Sequence, residues 1–567
     1  MSKVQFNHPE PQEGDLVGSR YWRSLDDLAE TPAFKEWVER EFPEGASEIE
    51  GVDRRHFMKI MAASFGFAGI GMSGCRRPKL HVLPYSKQPE NIIPGVPVFY
   101  STSRPGPYEN IPLVVETHSG RPTKVEGNPS YTPYGGATDL FSQSSCLDLY
   151  DPDRSTDSRD KAGNRLSPAR LRTELDALNA ELEKNRGRGV AILAEGSSSP
   201  TRHKLVKALK EQYPEITWAE YNAVDFGNPE RLLPQFQDQR VRGIYHFDRA
   251  GRILSLDGDF LKTEPGSIGY SKAFSKTRKV RNKDEAPHMS RLYVAESNLT
   301  LTGAQADHRA RVPSSEIPAL AAEIAAEIME LADGDELLIE ILREKGRYVR
   351  INRQWVRECA RDLWDHKGES VVFAGAHQSP EVHFLVAVIN DFLGARKSDG
   401  DGLVDYYNLP GGDADSIESL AEKMEGGAID TLIILEGNPA YDAPANLNWK
   451  AMIGSSVGKV VRFGYYEDET SAGADLHVAA SHYLESWGDG LTWDGYYVPV
   501  QPMIEPLFNT MSELEFLAVI LGMGGTSPFE LIRSTYRELF NPGDLENAFN
   551  NVLAEGISPE RVLSRRS

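Results

Sequence analysis

Two spacings alternate along most of this chain. Short, mostly apolar runs closed off by Gly, Ser or Asp take turns with longer stretches in which apolar residues recur every three or four positions. The first kind reads as strands covered on both faces: 190–194 (VAILA), 251–261, 371–375, 431–435 (TLIIL) and 460–463. The second kind reads as helices over 166–184, 201–212, 315–332 and 381–393. Strand and helix in regular alternation predict parallel sheets with helices on both faces. The pattern divides into a first α/β lobe, 166–368, a second, 369–510, and a helical tail, 511–567; within the first lobe, 272–283 reads as a basic loop.

The stretch 76–165 has a different character and reads as an extended, hairpin-bearing domain. Leu113-Val114-Val115-Glu116-Thr117 and Thr123-Lys124-Val125 flank His118-Ser119-Gly120-Arg121-Pro122, a turn set between β-favouring residues. A Gly127-Asn128-Pro129 break, the loop Pro133-Tyr134-Gly135-Gly136 and Leu147-Asp148-Leu149-Tyr150-Asp151-Pro152-Asp153-Arg154 follow.

Ahead of it lies a polar leader, 1–50, in which Leu25, Leu28, Trp37 and Val38 suit two short amphipathic turns or helices, and then 51–75. There Arg54 and Arg55 stand side by side, Phe57 follows two residues on, Lys59 next, and a Gly/Ala-rich apolar run ends at Gly74-Cys75. Paired arginines, an aromatic, a lysine and a short apolar run predict a twin-arginine export signal. Small residues before Cys75 resemble a lipoprotein box, which makes Cys75 the candidate for lipid attachment. Such a signal implies delivery to the periplasmic face of the inner membrane. No apolar run approaches the roughly 20 residues that span a bilayer.

Charge and cysteines narrow the chemistry. With 567 residues and a formal charge of −22, the chain has no basic stripe to offset its acids, so nucleic acid is excluded as a partner. Its three cysteines, Cys75, Cys146 and Cys359, form no CxxC pair, so this chain alone builds neither an iron–sulfur site nor a cysteine zinc site, and no metal site is expected. Cys146 and Cys359 read as packed thiols. Two places carry candidate chemistry. In Glu195-Gly196-Ser197-Ser198-Ser199-Pro200, the residues Gly196, Ser197 and Ser198 join a strand to a helix start, either a cradle for a bound cofactor's phosphates or an ordinary βα loop. In His482-Tyr483-Leu484-Glu485-Ser486-Trp487-Gly488-Asp489, the polar groups either bind metal and move protons or pin a loop.

The run 113–154, with its hairpin, Glu126-Gly127-Asn128-Pro129 and Tyr150-Asp151-Pro152-Asp153-Arg154, resembles the N-terminal segment of the large subunit of the molybdopterin oxidoreductases, the dimethyl-sulfoxide-reductase and formate-dehydrogenase superfamily. The long leader before the twin-arginine signal, Pro84–Glu90, and the pair His482…Asp489 and Gln501…Leu507 are similar to the iron–sulfur subunit of alternative complex III, a quinol-oxidising membrane complex of the respiratory chain.

The resemblance implies an α/β, molybdopterin-oxidoreductase-like fold with Rossmann-like parallel sheets in two lobes, here lacking the family's C-terminal β-barrel domain. In catalytic members, cysteines just before the hairpin hold an iron–sulfur cluster; the corresponding Tyr100-Ser101-Thr102-Ser103-Arg104-Pro105-Gly106 contains none. The implied role is a cofactor-free, non-catalytic structural subunit, with clusters only on a ferredoxin-like iron–sulfur partner. A multihaem cytochrome c and quinol-binding membrane subunits complete the implied assembly. The alternative is an active subunit that binds molybdopterin guanine dinucleotide and passes electrons to the partner's clusters. A third reading is a periplasmic binding protein with ligand between its lobes.

Overall fold

The hairpin turn sets the first piece of structure. Ser119 (φ 51°) and Gly120 (φ 78°) both take the left-handed conformation that a two-residue hairpin turn demands. In the computed structural model, strands β1 (Val98–Arg104), β2 (Ile111–His118) and β3 (Arg121–Gly127) form an antiparallel sheet on which helix α1 (Leu140–Leu149) packs. Thr117 faces Pro122 and Glu116 faces Lys124, so Thr123 is an extra residue that bulges β3. The cysteine-free segment 100–106 falls largely on β1. Its Thr102 and Ser103 hydroxyls donate to the Gln501 and Pro499 carbonyls, tying β1 to a distant strand.

The structure describes residues 95–231, 240–397, 400–410 and 414–566, together with Thr31, Pro32 and Ile93. The chain divides into units 1–89 and 90–567, and the described residues lie almost wholly in the second. The export-signal residues Arg54, Arg55, Phe57 and Lys59 and the lipid candidate Cys75 lie outside the described residues.

The α/β body follows in three passes. The first contains β4 (Arg159–Asp160), α2 (Pro168–Asn185), β5 (Val190–Ala194), α3 (Pro200–Gln212) and β6 (Thr217–Glu220). The second contains β7 (Val241–Tyr245), β8 (Arg252–Leu256), α4 (Ser267–Arg278), β9 (Arg291–Glu296), β10 (His308–Arg311), α5 (Ile317–Leu331), α6 (Glu336–Gly346), α7 (Arg353–Asp365), β11 (Ser370–Ala374), α8 (Pro380–Phe392) and β12 (Val404–Asn408). The third contains α9 (Ile417–Glu425), β13 (Thr431–Leu435), α10 (Trp449–Ser455), β14 (Lys459–Gly464), β15 (Leu476–Ala479), β16 (Gly488–Leu491), β17 (Tyr497–Val500) and helices α11 (Glu513–Ile520), α12 (Pro528–Phe540) and α13 (Leu545–Glu555).

Local chemistry sets where the helices begin. Ser167 and Ser199 cap α2 and α3 by accepting from the Arg170 and Arg202 N–H groups, and Pro168 and Pro200 occupy the first helical positions, where a missing N–H costs nothing. The stretch 272–283, expected to be a loop, is helical as far as Arg278. Tyr270 and Phe274, one turn apart, bury the inner face of α4 while its lysines stay outside.

Two parallel sheets form the core. One has the order β4-β15-β14-β13-β5-β6 with only β4 antiparallel; the other runs β10-β9-β8-β11, all parallel. The division into lobes 166–368 and 369–510 does not hold. Strand β5 lies beside β13, with Ile192 opposite Ile433, and β8 lies beside β11, with Leu254 opposite Val372. Each sheet therefore draws on both sides of residue 368, and the second pass is inserted into the first sheet. Apolar runs of equal length look alike in the sequence, and their partners are fixed by tertiary packing. Among the described residues no helix is long and apolar enough to cross a membrane.

Candidate functional site

In a doubly wound sheet the chain leaves neighbouring strands in opposite directions at one place, and the crevice there, beyond the strands' carboxyl ends, is where ligands bind. The six-stranded sheet reverses between β5 and β13, and the four-stranded sheet between β8 and β11. Both crevices are built from turns that the strand runs leave behind.

At the first, Gly196, Ser197 and Ser198 follow β5 and lead into α3. Gly196 N–H donates to Asn222 Oδ1 (2.9 Å), and Ser198 Oγ donates to Asn110 Oδ1 (2.9 Å) while accepting from Leu491 N–H (3.4 Å). The free N–H groups that open a helix would favour an anion, and here the chain supplies one itself. Asp489, on β16 and 4% exposed, accepts from Thr201 N–H (3.3 Å) and from the Ser199 and Thr201 hydroxyls. Burial pushes its carboxyl up from the ordinary value of 3.8, against the pull of those donors. A cavity of about 420 Å³ opens beyond β5 and β6, lined by Gly196, Ser197, Ser198, Glu220, Asn222 and Arg240.

Acids dominate the rest of this crevice. Gly437 beyond β13 lies against Glu195 beyond β5: a Cβ on that glycine would stand 3.4 Å from the glutamate side chain. Desolvation in the crevice, and then the charge of Asp442, push the Glu195 carboxyl up. Burial raises Glu436 to about 7 in spite of Arg462. The arginines nearby are engaged: Arg462 donates to the Glu436, Gly437 and Phe463 carbonyls and to Asp468, Arg202 donates to the Glu195 carbonyl and pairs with Glu513 (3.0 Å), and Arg240 and Arg242 pair with Glu230.

The second switch point follows the same rule. Asp257, in the left-handed region at φ 52°, accepts from Ser297 N–H (3.0 Å), Gln378 Nε2 (3.0 Å) and His377 Nε2 (3.0 Å). The chain turns so tightly against it that a Cβ on Gly375 would stand 2.2 Å from the Asp257 carbonyl oxygen. Burial alone would raise Asp257, but His377, Ser314 and the Ser297 N–H hold it down at about 2. His377 is raised in turn, chiefly by its hydrogen bond to Asp257. Ser314 Oγ also approaches His377 Nε2, at 3.5 Å. Serine and aspartate thus share one ring nitrogen, whereas a nucleophilic relay needs them on opposite ones. The neighbouring turns are held likewise: Asp259 accepts from Thr302 N–H (3.0 Å) and Glu264 from Ala376 N–H (3.1 Å).

The polar block 482–489 pins a loop. His482 Nδ1 accepts from Leu484 N–H (3.2 Å) while Glu485 accepts from His482 N–H (2.9 Å), closing a capping box. Glu485 pairs with Arg154, Trp487 meets Phe529 edge to face, and Asp489 holds α3 as described. Cys146 is a buried free thiol on α1 with Sγ 3.4 Å from the Pro122 carbonyl, and Cys359 is buried in α7. Among the described residues no group of three or more His, Cys, Asp or Glu side chains could hold a metal ion.

Sequence reasoning picked out Gly196, Ser197 and Ser198 but missed the carboxylate beside them, which arrives from 290 positions away. It also missed the His377–Asp257 pair. The one available signal was the acid ending the 251–261 run, followed by a histidine loop after 371–375.

No protein-family model matches the chain, and no curated protein matches it. Among solved structures it is similar to acetylene hydratase from Pelobacter acetylenicus, with a TM-score of 0.59 at 14% identity, over 75% of this chain and 71% of that one. At that identity the likeness is one of fold, an α/β fold with parallel sheets shared with that hydratase. At the start of α3 the Thr201 N–H and the Ser199 and Thr201 hydroxyls, donors of the kind that bind a pyrophosphate, are taken by Asp489, and the carboxyls of Glu195 and Glu436 lie beyond the neighbouring strands.

Proposed function

We propose that this chain is a cofactor-free structural subunit of an exported, membrane-associated respiratory complex that resembles alternative complex III. It holds a redox-enzyme fold without its redox chemistry. The observation that supports the reading is Asp489, an in-chain carboxylate that takes the donors at the start of α3, the kind of helix start that binds phosphate groups. A ferredoxin-like iron–sulfur subunit, a multihaem cytochrome c and quinol-binding membrane subunits are the partners it would position, and a lipid on Cys75 would tether it to the periplasmic face of the inner membrane. The absence of cysteine from 100–106 supports placing all clusters on partner chains.

Molybdenum by mass spectrometry and pterin by fluorescence, measured on the full chain purified from its membranes, test the reading. The expected content of each is below a tenth of a mole per mole of chain. Stoichiometric molybdenum and pterin would instead support the second reading, an active molybdopterin oxidoreductase that delivers electrons to a partner's clusters. The observation favouring it is the half-exposed His377 hydrogen-bonded to Asp257 beside the second crevice, a pair able to hold and release a proton.

A further inference from the structure

Helix α1 is built inside out. Its buried side carries Ser142, Ser145, Cys146 and Leu149, whereas Leu140, Phe141 and Leu147 stand 77%, 68% and 73% exposed. A helix on a soluble body normally turns its large apolar residues inward and its polar ones outward. Here the serines satisfy themselves inside: Ser145 Oγ donates to the Ser142 carbonyl (2.8 Å) and bonds the Tyr483 hydroxyl (2.7 Å). Leu140, Phe141 and Leu147 share the outer side of the helix with Ser144 and Asp148, and the three apolar side chains together expose on the order of a few hundred Å², the size that marks an interaction site on a monomer.

The border of that face decides what covers it. Asp139 caps the helix at one end, and at the other Asp148 stands in its last turn with Asp151 and Asp153 following it in the chain. The cations beside it are engaged: Arg104 lies 3.8 Å from Asp139 with its guanidinium 6.0 Å from the Phe141 ring centre, and Lys124, hydrogen-bonded to Gln143 of α1, pairs with Glu126 at 2.7 Å. An anionic lipid surface is repelled by such a rim. A second copy of the chain would bring the same aspartates against these.

We propose that the outer face of α1 is the docking surface for a different polypeptide, one that presents an apolar side chain or turn flanked by lysine or arginine. This deepens the structural-subunit reading and rests on it, since a chain whose role is to position partners needs a face of this kind. The helix that carries this face packs on the sheet whose first strand holds most of the cysteine-free segment 100–106.

The test places a photo-crosslinking benzoylphenylalanine at Leu140, Phe141 or Leu147 of the full chain in its own cells, with Leu337 of α6, another exposed leucine, as control. All three α1 positions are expected to capture one and the same foreign polypeptide, at a peptide with lysine or arginine within a few residues of the link, and Leu337 is expected not to capture it. The triple variant Leu140→Ser/Phe141→Ser/Leu147→Ser should cut co-purification of that polypeptide at least tenfold. Asp148→Lys/Asp153→Lys should do so to a similar degree, while both variants keep the wild-type thermal midpoint. Capture of lipid, of a second copy, only of residues 1–94 of the same chain, of an acidic peptide, or of nothing would overturn the proposal. Molybdenum and pterin assayed on the same preparation separate the two ideas: a loaded cofactor with the α1 link intact removes the inert reading and leaves the docking face standing.

Discussion

Arg154 and Glu485, 331 positions apart, meet in a two-pronged pair: Nη1 to Oε1 at 3.0 Å and Nη2 to Oε2 at 2.6 Å, with neither side chain exposing any surface. Arg154 ends the segment that follows α1, and Glu485 belongs to the loop that leads into β16. The pair therefore fastens the N-terminal sheet to the α/β body. Arg154 also donates to the Leu149 carbonyl and lies between the Tyr465 and Phe508 rings, 4.7 and 5.1 Å from their centres. Removing one partner leaves an uncompensated buried charge, which costs about 3–5 kcal/mol. Glu485→Gln and Arg154→Met should each lower the urea midpoint accordingly. The double variant Arg154→Met/Glu485→Leu should be more stable than either single one, because no charge is left buried without a partner.

Acid should destabilise the protein in two windows. His383, His477 and His482 are 4%, 5% and 7% exposed, and burial lowers them to about 4, about 4 and about 3. The unfolded chain takes up these protons near 6.5 while the folded chain refuses them, so stability is full above that pH and falls as the pH drops toward 4. Each group contributes a slope of about 1.4 kcal/mol per pH unit. Glu485 acts in a lower window. Burial would raise it, but Arg154 and the Leu507 and His482 N–H groups hold it below its ordinary 4.5, so its contribution is present above that value and is lost as the pH falls through the folded pKa. Urea midpoints between pH 7 and 3.5 check both windows. His482→Asn keeps an acceptor for Leu484 N–H and should flatten the upper one.

The hairpin was legible because its chemistry is local: a β-favouring run, Ser119-Gly120, and another such run. The strand at 190–194 was equally legible as a strand, since five buried residues in a row leave little else. Its neighbour was not. Nothing in VAILA distinguishes TLIIL from any other apolar run as a partner, so an inserted pass of strands and helices was read as the continuation of one lobe. The turn Gly196-Ser197-Ser198 was visible as a place for an anion, because strand, small residues and helix start are contiguous. That Asp489 takes the donors there was not visible, because the contact spans 290 of the 567 residues.

Gly120 should tolerate a side chain in space but not in conformation. A Cβ there would meet nothing within 4 Å, yet φ is 78°. Gly120→Val should therefore cost about 1–2 kcal/mol, the penalty for placing a side chain in the left-handed region. Gly120→Asn should cost distinctly less, since asparagine tolerates that region. Paired urea titrations of the two variants measure the difference, and equal costs would mean that packing rather than backbone conformation sets the turn.

Asp489→Ala tests the occupant of the first crevice directly. The variant strips an acceptor from the Ser199 and Thr201 hydroxyls and from Thr201 N–H, all buried, and each unsatisfied group costs about 1–3 kcal/mol. A drop in thermal midpoint is therefore expected. The start of α3 would then be an open anion site, so millimolar inorganic phosphate should restore much of the loss by binding the folded state alone. Sodium chloride at matched ionic strength should not, and the wild-type protein should respond to neither. If wild-type and variant midpoints rise equally with phosphate, the anion acts elsewhere and Asp489 is not standing in its place. If only the variant responds, the carboxylate is what keeps this crevice closed to phosphate-bearing ligands.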